Sequence, residues 1–359
     1  TWTVCAGAPA PTCVDASTLR TYADSGACRA GACAYPSTDI LCPFGCEAGR
    51  CADCTAVPWT TSTIDTMDRM RGGTFTLMTT SIAVDRAGGI HVAYQDGDLD
   101  RNLGYAHRVP GGEWTRSVID FDGFGGAAVL SLALDDAGPH AFFMDIGPAP
   151  NAGYYASLGP DGGWTTERVD SSVADDGYSY PSFAIDGVGG VHVSSAGHGD
   201  LRYAHRGRDG EWITNIVDPE ASGVLTSIAA DGGGGVHVAY GQSGTVAGRP
   251  FDVRHAYRGA DGTWATTTID TGIVNSWVLA SLGAEGSGRA HVGYFQFPTG
   301  NVVVASRSPE GAWTTSTVDA DMHAGGGGQV SVAADEEGGI HVVYGDGLDA
   351  RLYYAFRGA

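Results

Sequence analysis

The stretch SFAIDGVGGVHVSSAGHGDLRYAHRGRDGEWITNIVD, residues 182–218, decides the fold. It holds four short runs of strand character: SFAID (182–186), VHVSS (191–195), LRYAHR (201–206) and WITNIVD (212–218). Glycine-rich turns separate them and nothing helical intervenes. The same wording recurs along the chain. It reads G-x-W-T-T-x-x-V-D, then S-φ-A-φ-D-x-x-G-x-φ-H-V-x-Y, then L-x-Y-A-x-R, with φ apolar. The opening tryptophans are Trp59, Trp114, Trp164, Trp212, Trp264 and Trp313, spaced by 48 to 55 residues. A period of that size predicts a propeller or solenoid, and four antiparallel strands per repeat predict propeller blades. Tight D-x-x-G turns join the first two strands of a unit and D-G-x-W turns the last two.

The chain stops at Arg357-Gly358-Ala359, directly after an L-x-Y-A-x-R strand, so the last blade lacks its outer strand. The stretch PWTTSTID at 58–65 is the one candidate to fill that place and to close the ring, which would remove open sheet edges. The expectation is an all-β chain, with a six-bladed β-propeller over residues 55–359 behind a small disulfide-rich domain over residues 1–54.

That small domain is read from cysteine usage. All eight cysteines, Cys5, Cys13, Cys28, Cys33, Cys42, Cys46, Cys51 and Cys54, precede residue 55. An even count in a short Gly/Ala/Pro-rich segment predicts a disulfide framework and an oxidising compartment: secreted, periplasmic or cell-surface. The spacing does not choose the pairing. Zinc competes through Cys51-Ala-Asp-Cys54, but this is a lone CxxC and no histidine precedes His91.

Composition removes several functions. The formal charge is -21 and all 20 basic residues are arginine. Without lysine there is no Schiff-base chemistry and no P-loop. The acidity argues against nucleic acid as a partner, and no apolar run reaches membrane-spanning length. Nucleophile-elbow, H-E-x-x-H and Rossmann motifs are absent. A monomer that takes a small-molecule or glycan ligand is expected.

Most histidines belong to the repeat. His91, His140, His192, His237, His291 and His341 follow the D-x-x-G turn on the second strand. Counting across the hairpin sets His91 opposite Val84, with Ile82 and Ala93 on the same face. A histidine on that between-blade face can bond backbone or the hairpin's own Asp85 or its equivalent. His107, His205 and His255 occupy third-strand positions and read as structural too.

Two histidines fall outside the repeat: His198, between the second and third strands of blade 3, and His323, entering blade 6. Both lie on the face that carries the long connections. Tyr178, Tyr180, Trp277, Arg69 and Arg71 lie there as well. In blade 3 the strand-B tyrosine (Tyr94, Tyr240, Tyr294, Tyr344) becomes Ser195, and in blade 2 it becomes Phe143. His198, His323 and Asp200 suit the first shell of a divalent ion with an open position for water. Asp96, Asp98 and Asp100 alternate along one loop as in calcium sites, without the following glycine and distal acid of an EF-hand. The metal would be zinc, manganese or calcium.

The φ-A-φ-D-x-x-G-φ-φ-V wording resembles NHL-type and other secreted bacterial propellers, and the D-G-x-W turn resembles a shortened sialidase Asp box. Tyr180-Pro181-Ser182-Phe183 is similar to the Tyr-Pro-x-Phe stretch of the propeller ulvan lyases. That resemblance implies a tyrosine and histidines abstracting a proton beside a uronate, although Ala196 stands where an arginine is expected. Six-bladed propellers similar to paraoxonases, gluconolactonases and diisopropylfluorophosphatases are metal-dependent hydrolases. The leading expectation is thus a metal-dependent hydrolase of an ester, lactone or phosphoester, with His198, His323 and Tyr180 catalytic. Tyr178, Trp277, Arg69, Arg71 and Ser195 would bind substrate. The alternatives are a non-catalytic glycan- or protein-binding propeller and a polysaccharide lyase.

Overall fold

The computed structural model describes residues 5–6, 8–15, 18–23, 25–29, 32–41, 46–47, 49–51, 62–64, 80–95, 103–120, 127–145, 152–169, 181–197, 199–221, 225–242, 251–273, 280–296, 299–320, 330–335, 338–346 and 351–358. The chain divides into two compact units, Thr1–Thr63 and Ile64–Ala359, whereas the composition change in the sequence falls at 54/55.

The first unit is made of short strands. Ser25–Arg29 pairs with both Cys5–Ala6 and Ala32–Ala34, Thr18–Tyr22 pairs with both Thr12–Cys13 and Ser37–Leu41, and Cys46–Glu47 pairs with Arg50–Cys51. Among its described residues Leu19 is the one buried hydrophobic side chain. Cys13 and Cys33 are each disulfide-bonded. Arg20 adds a bidentate pair to Asp39, with both contacts at 2.7 Å.

The second unit is a series of antiparallel sheets, strands A to D in order, each paired with its neighbour in sequence. Blade 1 has Thr80–Val84, Ile90–Gln95, Leu103–Arg108 and Thr115–Ile119. Blade 2 has Ala127–Asp135, Gly138–Asp145, Ala152–Leu158 and Trp164–Arg168. Blade 3 has Ser182–Ile185, Val191–Gly197, Asp200–Arg206 and Trp212–Asp218. Blade 4 has Thr226–Ala230, Val236–Gln242, Phe251–Arg258 and Trp264–Ile273. Blade 5 has Ser281–Ala284, Ala290–Gln296, Asn301–Arg307 and Trp313–Asp319. Blade 6 has Val330–Ala334, Ile340–Asp346 and Arg351–Arg357.

Successive blades are joined by one repeated contact. An aliphatic near the end of strand D packs on the inner strands of the next blade: Ile119 on Leu130 and Leu132, Val169 on Phe183 and Val193, and Val217 on Ile228 and Val236. Ile269 and Val318 do the same on blades 5 and 6. The tryptophan that opens strand D packs edge-on against a ring of the preceding blade, as Trp264 does on Tyr203 at 4.9 Å. Burying such rings against each other explains why the tryptophan is the most constant residue of the repeat.

The closing strand expected at 58–65 lies outside the described residues except for 62–64, which are not in a strand. Ile64 nonetheless packs against Val92, Tyr94 and Ala106 of blade 1. It thus takes, toward blade 1, the place that Ile119 takes toward blade 2. On blade 6 the corresponding face is open among the described residues. Tyr354 is 62% exposed, where its equivalent Tyr105 is 5% exposed.

One register expectation needs correction. His91 stands opposite Ala83, and Val84 opposes Ile90. The hairpin closes through Asp85 N–H to the Gly89 carbonyl at 2.9 Å, so Gly89 belongs to the turn and not to the strand. Gly88 is left-handed there at φ 82, a conformation that favours glycine. Ala93 consequently opposes Ser81 and not Ile82.

Candidate functional site

The two ends of the blades carry different chemistry. At the tight-turn end, each blade builds a hydrogen-bonded chain on its repeat histidine. In blade 3, His192 Nε2 lies 3.2 Å from Asp186 Oδ2 and Nδ1 lies 2.7 Å from the Tyr203 hydroxyl. The carboxylate accepts from Nε2–H, so Nδ1 accepts from the phenol and the ring is neutral. Blades 1 and 6 repeat this with Asp85–His91–Tyr105 and Asp335–His341–Tyr354. Blade 4 uses Asp231–His237–His255 and blade 5 Glu285–His291–Ser306. In blade 2 the turn is shorter. His140 still meets Tyr155, but Asp135, at 2.9 Å, is not aligned for a hydrogen bond.

Burial pushes the rings of His192 and His237 down to about 4, against the opposing pull of their aspartates. It holds His255 well below its ordinary value. Asp85 sits below the usual carboxylate range, chiefly because of the Gly89 amide and then His91. Five of the six repeat histidines, all but His140, bond the hairpin's own acid, one of the partners the sequence offers.

At the other end, where the long connections leave, a second motif latches neighbouring blades. The strand-B tyrosine donates to an aspartate at or near the end of strand D of the preceding blade: Tyr240 to Asp218 at 2.6 Å, Tyr294 to Asp270 at 3.0 Å and Tyr344 to Asp319 at 2.9 Å. Burial raises all three phenols, Tyr344 to about 12. They are locked donors and not bases. Arg254 joins the blade 4 latch at 2.8 Å from Asp218 and also donates to Gln242 at 2.9 Å. In blade 5, Gln296 donates to Asp270 and receives Asn301.

Blade 3 breaks this pattern. Ser195, buried, holds the tyrosine position directly across from Arg202. Arg202 Nε donates to Asp200 at 2.9 Å. A hydroxymethyl group replaces a phenol ring at the blade 2–blade 3 boundary, and hydroxyl, guanidinium and carboxylate gather beside it. In blade 2, Phe143 fills the same position and stacks on Tyr154 at 5.6 Å.

Of the residues singled out from the sequence, Ser195 and Asp200 are thus brought to one place. His198, His323, Tyr178, Tyr180, Trp277, Arg69, Arg71, Asp96, Asp98 and Asp100 lie outside the described residues. Sequence reasoning missed Arg202 and the Arg254–Asp218 pair. Strand alternation from Ser195 would have found Arg202, because the pairing partner of a strand-B residue is fixed by the hairpin. It also missed that Asp85, His91 and His107 bring ligand atoms within 4.8 Å of one another, the one such group among the described residues.

No family model matches the chain, and no curated protein matches it. Solved structures do. An ulvan lyase bound to a GlcA(1-4)Rha3S unit is similar with a TM-score of 0.51 and 12% identity, over 98% of this chain and 91% of that one. An ancestral GH74 enzyme gives 0.50 and 16% over 80% of this chain, which spans 43% of that enzyme. The fucose-specific lectin from Aleuria aurantia gives 0.48 and 13% over 78% and 94%. The second unit is a β-propeller. At these identities the likeness shows the fold alone. No helix of the described residues is long and apolar enough to cross a membrane.

Proposed function

We propose that this chain is a secreted carbohydrate-recognising propeller whose sugar site lies at the loop-bearing end of blade 3. The observation that carries the reading is the replacement of the latch tyrosine by Ser195, beside Arg202 and Asp200. Paired arginine and carboxylate groups read sugar hydroxyls by directional, charge-assisted hydrogen bonds. The two neighbours with TM-scores of 0.50 and 0.51 are a glycoside hydrolase and a polysaccharide lyase by name, which supports a carbohydrate ligand.

The metal-dependent hydrolase loses ground at Asp200. The carboxylate expected to complete the shell with His198 and His323 is engaged by Arg202, and a guanidinium beside a carboxylate competes with a cation for it. The test is a glycan array and calorimetry on the full chain, followed by incubation with ulvan and other uronate polymers with and without chelator. Binding that weakens in Arg202→Ala supports the reading. Chelator-insensitive formation of an unsaturated uronate would make the protein a lyase that uses this site. No carbohydrate binding, together with chelator-sensitive ester hydrolysis, would overturn it.

A further inference from the structure

Blades 1 and 3 differ from the other blades at their tight-turn end, and blade 1 alone among the described residues brings three ligand atoms together there. The Asp–His–Tyr chain is present there as elsewhere, but strand C places a second imidazole against it. His107 is the register partner of His91, and the two rings stack at 4.4 Å between centroids. The same position holds Ser157, Tyr257, Ser306 and Phe356 in blades 2, 4, 5 and 6. Blade 3 has His205 there, with its ring 4.9 Å from His192.

We propose that Asp85, His91 and His107 form a structural divalent-metal site, best matched by zinc, that clamps the first hairpin of blade 1 to its third strand. Two tetrahedral ligands at zinc's usual bond lengths lie about 3.3 Å apart. Asp85 Oδ2 and His91 Nε2 are already 3.2 Å apart. The three ligand atoms lie within 4.8 Å of one another, and His107 is half-buried on a strand, so a rotation of its ring closes the set.

The outer partners are in place as well. Asp85 Oδ1 accepts the Ala87 and Gly89 amides at 2.8 and 2.7 Å, which fixes the carboxylate and turns Oδ2 toward the histidines. His91 Nδ1 is 2.6 Å from the Tyr105 hydroxyl. With Nε2 on a metal, Nδ1–H donates to that oxygen, the usual way in which a ligating histidine is held in orientation. Two imidazoles and a carboxylate are a donor set that zinc accepts, with water at the fourth position. The site lies at the tight-turn end of blade 1, the proposed sugar site at the loop-bearing end of blade 3, and the one does not depend on the other.

The experiment uses the full chain with disulfides intact, stripped with chelator, dialysed, and titrated with zinc and with cobalt(II). The comparison variants are His107→Ser and His107→Tyr, residues that other blades carry at this position, so that folding is retained by at least one of them. The wild type is expected to bind about one equivalent of metal. Its cobalt spectrum should show tetrahedral nitrogen–oxygen bands without a thiolate charge-transfer band, and zinc should raise its melting temperature. Both variants should lose all three signals, while His205→Ser keeps them. No binding by the wild type, equal binding by a folded His107 variant, or loss confined to His205→Ser would each overturn the assignment.

Discussion

Asp218, which ends the last strand of blade 3, accepts from the hydroxyl of Tyr240 on blade 4 at 2.6 Å, and both side chains are buried. Arg254 approaches the same carboxylate at 2.8 Å. One acid therefore holds two groups of the next blade. Tyr240→Phe removes one donor and leaves the ion pair, which should cost about 1 kcal/mol. Asp218→Ala removes the acceptor of both groups and leaves the half-buried Arg254 with Gln242 and Thr266, so it should cost about 3 kcal/mol, the low end for breaking a buried pair by removing one partner. Urea unfolding measures both. Equal costs would mean that Arg254 finds water and that the latch is weaker than its geometry.

The histidine chains predict acid sensitivity. His192 and His237 titrate at about 4 when folded and at about 6.5 when unfolded. Below pH 6.5 the unfolded chain binds more protons, so stability falls as pH falls. The stabilisation is complete above about pH 6.5 and is lost progressively down to about pH 4. Each ring contributes at most about 3 kcal/mol over that window, and both are almost fully buried. Melting temperature measured from pH 7.5 to 4 should drop steeply, and less steeply in His237→Gln. A flat profile would show that the rings are protonated in the native state.

The repeat was legible because each of its constant residues has a physical task that repeats. Trp264 and its equivalents face the preceding blade, His192 and its equivalents tie the hairpin acid to strand C, and Tyr240 and its equivalents latch onto the preceding aspartate. Spacing alone exposes such residues. What broke the repeat was less legible. Ser195 was recognisable as a missing tyrosine, but its meaning depends on Arg202 across the sheet, which becomes its neighbour only through pairing. The pairing of His91 with Val84 failed by one residue because a left-handed Gly88 lets Gly89 fold into the turn. His107 read as an ordinary third-strand histidine, since nothing in sequence spacing sets it beside Asp85.

Gly293 in blade 5 tests the packing between blades. A Cβ there would collide with Cγ2 of Val332 and lie 2.8 Å from Cγ1 of Val330, both on the first strand of blade 6. Gly293→Ala forces those strands apart and should destabilise by about 1–3 kcal/mol, the usual cost of overpacking. Gly286→Ala, with open space around its Cβ, is the control and should be nearly neutral. Guanidinium midpoints for the two variants decide it. A neutral Gly293→Ala would mean that blades 5 and 6 are not closely packed.

Ser195→Tyr separates the architectural role of the latch from the proposed sugar site. Tyrosine is the residue of blades 1, 4, 5 and 6 at this position, so the backbone accommodates it there. Its ring would occupy the space beside Arg202, as the Tyr240 ring lies beside Arg254 with the guanidinium 5.8 Å from the ring centre. The variant should fold about as stably as the wild type, because four other blades carry tyrosine at this position. Carbohydrate binding should fall at least tenfold, a loss of about 1.4 kcal/mol. Calorimetry with the best ligand from the array, run beside a thermal melt, reads both quantities. Retained binding in a folded Ser195→Tyr protein would move the sugar site away from the blade 2–blade 3 boundary and onto the connections alone.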